Sequence, residues 1–212
     1  MSKIHLEILD EKRQDVFQRL KPFAKHGCLA GGTALALQIN HRRSVDFDVF
    51  ITHPVDRNFI RKVKRIFGAI YFYVNTSKQV SFHTNGKVGV TFVRYDFKAL
   101  YSSVPTKSLP LARIEDIATD KAYTIGRRAM WRDYVDVFFL LKKKLITINQ
   151  IITSANKKFE GEFVQTQFLQ QLTYYEDLNV MPIEYINTPH TPEEIKKFLG
   201  VAVRGYLKKI LP

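Results

Sequence analysis

The chain has 212 residues, enough for one domain or two small ones. Its 45% hydrophobic and 25% charged residues exclude a disordered composition. Lys and Arg number 33 against 20 Asp and Glu, a net charge of +13, which points to an acidic partner such as nucleic acid or a polyphosphate. The most apolar stretch, around Leu29 to Ile39, is too short for a membrane span and carries Gln38. The opening M-S-K-I-H-L-E-I-L-D-E-K puts charges where a signal peptide needs apolar residues. Cys28 is the one cysteine, so no intrachain disulfide can form, and a cytoplasmic location with no membrane partner is expected.

In chain order, Asp10 to His26 reads as a first helix with Val16, Phe17, Leu20 and Phe23 on one side, which Pro22 must kink or end. A short apolar run, Cys28–Ala30, leads into Gly31–Gly32 and the helix-forming T-A-L-A-L-Q-I. Asp46 to Thr52 has the aromatic and β-branched content of a strand. Arg57 to Arg65 is the densest basic cluster. Phe59, Ile60, Val63 and Phe67 recur through it near helical spacing, so it reads either as an amphipathic surface helix or as a ridge facing nucleic acid. Ala69–Val74, Gln79–Thr84 and Val88–Tyr95 are strand-like, and Asn85-Gly86 between the last two signals a hairpin.

Beyond Pro105 and Pro110 the chain reads as helices: Glu115–Arg128, Arg132–Lys144, Ile148–Phe159, Phe163–Asp177 and Glu193–Ile210. The expected architecture is therefore α+β: a catalytic core over 1–108 with a mixed sheet and helices, followed by a helical region over 109–212. The charge excess favours the first part, with a net +9 in residues 1–100.

Common enzyme motifs are missing. No phosphate loop of the G-x-x-x-x-G-K-[ST] type, no G-x-S-x-G and no H-E-x-x-H occurs, and no two histidines have zinc-ligand spacing. One constellation stands out, G-G-T-A-L-A-L-Q-I-N-H-R-R-S-V-D-F-D-V-F from Gly31 to Phe50. On a strand, Asp46 and Asp48 point to one face while Phe47 and Val49 point to the other. Two adjacent carboxylates repel unless a cation neutralises them, and a hard divalent ion takes such oxygens while borrowing the rest of its shell from water and phosphate. Gly31 and Gly32 before a helix let a phosphate approach the backbone at the positive helix end, with Thr33 as a hydroxyl donor. Arg42, Arg43 and Ser44 offer further donors to the same anion.

The pattern G-G-T-A-L…H-R-x-S-x-D-F-D-x-F resembles the AbiEii/AbiGii-type nucleotidyltransferase toxins, a branch of the DNA polymerase beta-like superfamily. A second block, D-I-A-T-D-K-A-Y-T-I-G-R-R-A-M-W-R-D-Y-V-D-V-F-F-L-L from Asp116 to Leu141, is similar to that family's Asp-Ile…Lys…Arg…Arg-Asp-x-x-Asp pattern. The resemblance spans residues 27–141. It implies a polymerase beta-like core whose helical C-terminal region completes the nucleotide site. By it, Gly31, Gly32 and Thr33 cradle a triphosphate, Arg42 and Ser44 support the phosphates, and Asp46 and Asp48 bind Mg²⁺ or Mn²⁺. Lys121 contacts the nucleotide and Asp136 is the distal acid. Arg128, which shares a helix face with Lys121 and Thr124, joins the nucleotide or pairs with Asp133 or Asp136.

The implied reaction moves an NMP from an NTP to an acceptor hydroxyl, with RNA, such as a tRNA end, as acceptor and an antitoxin protein as partner. In one respect the chain departs from the pattern. Many such enzymes carry a third acid on a later strand, and Val88–Tyr95 contains Thr91 but no acid, with Asp96 just beyond. A small-molecule nucleotidyltransferase and a catalytically silent binding module are the alternative readings.

Overall fold

A computed structural model describes residues 3–210. The chain divides into two compact units: one runs to Lys98 and takes in Ser102–Arg113, and the other comprises Ala99–Tyr101 and the chain from Ile114 onward.

The first unit is built on a five-stranded sheet. Its strands are β1 (Gly27–Ala30), β2 (Phe47–Ile51), β3 (Phe72–Asn75), β4 (Gln79–His83) and β5 (Gly89–Arg94), in spatial order β1-β2-β5-β4-β3. β2 and β5 run parallel, and the other neighbours are antiparallel, so the sheet is mixed as expected. The expected hairpin joins β4 to β5. Lys87 donates its backbone N–H to the Thr84 carbonyl at 2.8 Å, and Lys87 itself sits at φ 60°. The free side of β1 is covered by the 110–112 segment, with Leu29 N–H bonded to Pro110 O and Ala112 N–H to Leu29 O, each at 2.8 Å. β3 is left as the open edge.

Alternation along the strands gives the sheet two unlike faces. Phe47, Val49, Val80, Phe82, Val90 and Phe92 are buried on one of them. Helix α1 (Glu11–Arg19) and the 3₁₀ turn Lys21–Phe23 supply Phe17 and Phe23 to this face, and α3 (Arg57–Phe67) supplies Phe59, Val63 and Phe67. The rings interlock: Phe23 lies 4.7 Å from Phe92, Phe59 5.1 Å from Phe92 and Phe67 5.1 Å from Phe82. The basic residues of α3 thus ride on an amphipathic helix whose apolar stripe is core. Asp56 caps it by accepting from Phe59 N–H at 2.7 Å, and Gly68 at φ 83° ends it.

Two helices fall short of the expected span by more than a turn. The first helix stops at Arg19, because Pro22 has no N–H to continue the ladder, and the chain tightens into the 3₁₀ turn instead of running on to His26. The segment expected to be helical over Phe163–Asp177 forms only α7 (Gln165–Gln171).

The second unit is helical: α4 (Ile114–Ile125), α5 (Trp131–Lys142), α6 (Ile148–Phe159), α7 and α8 (Pro192–Ile210). A capping box between Thr147 and Gln150 starts α6. Among the described residues, no helix is long and apolar enough to cross a membrane.

Candidate active site

The second face of the sheet carries the two acids singled out in the sequence. β1 ends at Ala30, which pairs with Asp48 of β2. Gly31 then adopts φ 65°, a conformation that favours glycine, and turns the chain into α2 (Gly31–Ile39). Gly31 and Gly32 thus belong to the first turn of the helix. They are also close to the acids and their supports. A Cβ on Gly31 would meet Asp48 Oδ2 at 3.0 Å, and one on Gly32 would meet Arg42 Nη2 at 2.6 Å and Ser44 Oγ at 3.3 Å. The helix N-terminus, one acid, the Arg42 guanidinium and the Ser44 hydroxyl therefore meet around two glycines.

Thr33, 2% exposed, ties the segment after α2 to the helix. Its hydroxyl donates to the Asp46 carbonyl and lies 2.8 Å from Ser44 Oγ; with its one proton so used, it accepts from Ser44. Arg42 is 3% exposed, and its Nη1 donates to the Arg43 carbonyl at 3.0 Å. Arg42 and Thr33 thus form the inner frame of the turn. Asp46 is exposed just ahead of β2, and Asp48 is half-buried within it.

β5 supplies the neighbours of both acids. Asp48 is in register with Thr91, whose hydroxyl lies 3.1 Å from that of Ser81 on β4; Gln79 Nε2 donates to Ser81 at 2.9 Å. One pair earlier in the same register, Gly89 lies beside Asp46. A Cβ on Gly89 would sit 2.5 Å from Asp46 Oδ1. Thr91, a neutral residue, is thus the β5 residue beside Asp48. Asp96 does not reach it. It lies five residues further along, about 16 Å of extended strand, and its carboxylate pairs with Arg94 at 2.8 Å and Lys78 at 3.8 Å. Gly89 and the Thr91–Ser81 pair escaped the sequence reading because their role follows from strand register.

The remaining predicted residues lie in the second unit and form their own cluster. Lys121 Nζ is 2.7 Å from Asp133 Oδ1 and 2.6 Å from Asp136 Oδ2, with Asp136 fully buried. The Arg128 side chain is 63% exposed, 3.7 Å from Asp133 Oδ2. Asp116, on the same helix as Lys121, accepts from Leu100 N–H and Tyr101 N–H, each at 3.0 Å, and from Lys158 Nζ at 2.9 Å. Lys158 also pairs with Asp120 at 2.6 Å. The signal for Lys158 was present: it continues the stripe of Ile148, Ile151, Ile152 and Ala155, where a lysine is buried only if paired.

Comparisons with known proteins agree with this architecture. No family model matches the sequence. The chain is 29% identical over 186 residues to an uncharacterised protein of Aquifex aeolicus, covering 85% of this chain and 87% of that one. Its structure is similar to the crystal structure of JHP933 from Helicobacter pylori, with a TM-score of 0.59 at 20% identity, covering 95% of this chain and 94% of the other. It is also similar to MenT4, a nucleotidyltransferase toxin from Mycobacterium tuberculosis, with a TM-score of 0.58 at 14% identity over 89% and 80% of the two chains. The fold is that of the nucleotidyltransferases.

The donor set fits a hard divalent ion of the Mg²⁺ type. Asp46 and Asp48 present carboxylate oxygens on one sheet face beside a helix N-terminus, leaving other coordination positions to water and phosphate. Among the described residues, no group of three or more His, Cys, Asp or Glu could hold a metal by protein ligands alone.

Proposed function

We propose that the protein is a metal-dependent nucleotidyltransferase that moves an NMP from an NTP to a hydroxyl on RNA. The observation that carries this reading is the meeting of Asp48 with the Gly31–Gly32 turn. A carboxylate 3.0 Å from a Gly31 Cβ position, at a helix N-terminus backed by Arg42, places cation-binding and anion-binding groups within one short turn. Gly31, Gly32 and the α2 N-terminus receive the triphosphate, with Ser44 and Arg42 holding the turn that receives it. Asp46 and Asp48 hold Mg²⁺ or Mn²⁺, which supplies Lewis-acid neutralisation of phosphate charge.

In the reaction an acceptor hydroxyl oxygen attacks the α-phosphorus. A new P–O bond forms, the bond to pyrophosphate breaks, and the hydroxyl proton passes to solvent or to a carboxylate. Positioning and charge neutralisation supply most of the rate. Thr91, standing where a third acid would stand, adds no charge, so Asp46 and Asp48 carry the acidic part of the site.

The net charge of +13 supports RNA, such as a tRNA end, as acceptor. The resemblance of the Gly31–Phe50 and Asp116–Leu141 blocks to AbiEii/AbiGii toxins supports a toxin role in the cytoplasm, countered by an antitoxin. The test is incubation with Mg²⁺, each α-labelled NTP and total RNA, beside Asp48→Asn. Label entering RNA with the wild type and lost with Asp48→Asn is the expected result. Absence of label with every nucleotide overturns the reading.

A further inference from the structure

The face that carries the two acids continues across the sheet to its open edge. Gly89 sits beside Asp46 and is in register with His83 at the end of β4. His83 in turn packs against Tyr73 of β3 with tilted rings, centroids 5.1 Å apart and planes 33° apart. The row therefore reads Asp46, Gly89, His83, Tyr73. At the usual strand spacing, His83 lies about 10 Å from Asp46, and Gly89 between them is buried, with the Asp46 carboxylate over its Cβ position.

His83 is exposed and Tyr73 is 49% exposed, so the pair presents aromatic surface at the sheet edge. The turn that follows His83 carries Lys87, which is exposed. A cation therefore sits at the end of the sheet where this row lies. Aromatic faces beside cations are what single-stranded nucleic acid uses: bases stack, and phosphates meet lysines.

We propose that this row is the acceptor subsite: the terminal base of a single-stranded RNA stacks on the Tyr73–His83 pair, with its ribose hydroxyl toward Asp46 and Asp48. The direction of the ribose rests on the nucleotidyl-transfer reading; the stacking stands apart from it.

The experiment measures fluorescence anisotropy of a short unstructured oligoribonucleotide, labelled at its 5′ end and free at its 3′ hydroxyl, in EDTA and without NTP. Wild type, Tyr73→Ala, His83→Ala and Tyr73→Phe are compared. The alanine variants are expected to weaken binding roughly 5- to 100-fold, while Tyr73→Phe stays within about twofold of wild type. Affinity unchanged in both alanine variants, or no binding of the oligonucleotide by wild type, overturns the subsite. Label transfer by wild type is measured in parallel on the same oligonucleotide. Transfer with unaltered affinities sinks the platform alone, whereas stacking-dependent binding without transfer sinks the nucleotidyl-transfer reading alone.

Discussion

Thr91 stands beside Asp48 across the parallel β2–β5 pair, and its hydroxyl lies 3.1 Å from that of Ser81. A neutral side chain held by a neutral neighbour sets no like charge beside this half-buried carboxylate, whereas a second acid there would repel it. Thr91→Asp is therefore expected to lower stability in EDTA by about 1 kcal/mol, read as a fall in Tm of roughly 2–4 °C. Mg²⁺ is expected to raise the Tm of this variant more than that of wild type, because the added acid is then neutralised. Equal Mg²⁺ responses of the two proteins would show that position 91 does not face the cation.

Gly89→Ala tests the other acid. Its Cβ would sit 2.5 Å from Asp46 Oδ1 and 3.1 Å from Asp46 Cγ, so the carboxylate must swing aside. Asp46 is exposed, so the movement has room and the fold is expected to survive. Displacing a reacting group by about an ångström costs on the order of 10²-fold in rate. Nucleotide transfer is expected to fall by about that factor while the melting curve stays near wild type. A variant with full activity would free Asp46 of any role.

In the helical unit, Lys158 is the residue on which stability turns. Its ammonium bridges Asp116 of α4 and Asp120 one turn later, and Asp116 also holds the Leu100 and Tyr101 amides. Lys158→Met removes the cation and leaves two carboxylates, one of them 2% exposed, without it. Breaking a buried pair from one side costs about 3–5 kcal/mol, to be read from urea unfolding. The double replacement Lys158→Met with Asp120→Leu is expected to recover part of that loss.

Local pattern carried much of this architecture into the sequence. The strand–helix–strand unit from Cys28 to Phe50, the Asn85-Gly86 hairpin and the periodic helices were legible because each depends on neighbours within a few residues. The two acids were legible as a same-face pair for the same reason. What depends on distant chain was not. Nothing near Gly89 or Thr91 announces that β5 lies parallel to β2 in the register that sets them beside Asp46 and Asp48. Arg42 reads as an exposed phosphate donor until Gly32 is seen to leave room for its guanidinium. Lys121 likewise reads as a lone cation on a helix face, because its partners Asp133 and Asp136 come from the next helix.

A chain of three basic groups at the far end of β1 makes stability depend on pH. His53 Nδ1–H donates to the Pro54 carbonyl at 3.0 Å, which leaves Nε2 to accept from His26 Nδ1–H at 2.6 Å. His26 Nε2 then accepts from Lys62 Nζ at 2.8 Å, and Lys62 also donates to the Pro22 carbonyl at 2.7 Å. Every link requires both imidazoles to be neutral, since a proton on His26 Nε2 would face the ammonium. Burial, then the Lys62 charge and then His53 hold the His26 pKa below its ordinary value of 6.5. A base whose pKa is lower folded than unfolded takes up its proton first in the unfolded state, so stability falls as pH drops below about 6.5 toward the folded value. Above that range both states are neutral and the effect vanishes. His26→Phe, which keeps the ring against Phe23 and Phe59, removes the titrating group; its Tm is expected to fall less than that of wild type between pH 7 and pH 5. Parallel Tm–pH curves for the two proteins would place the titration elsewhere.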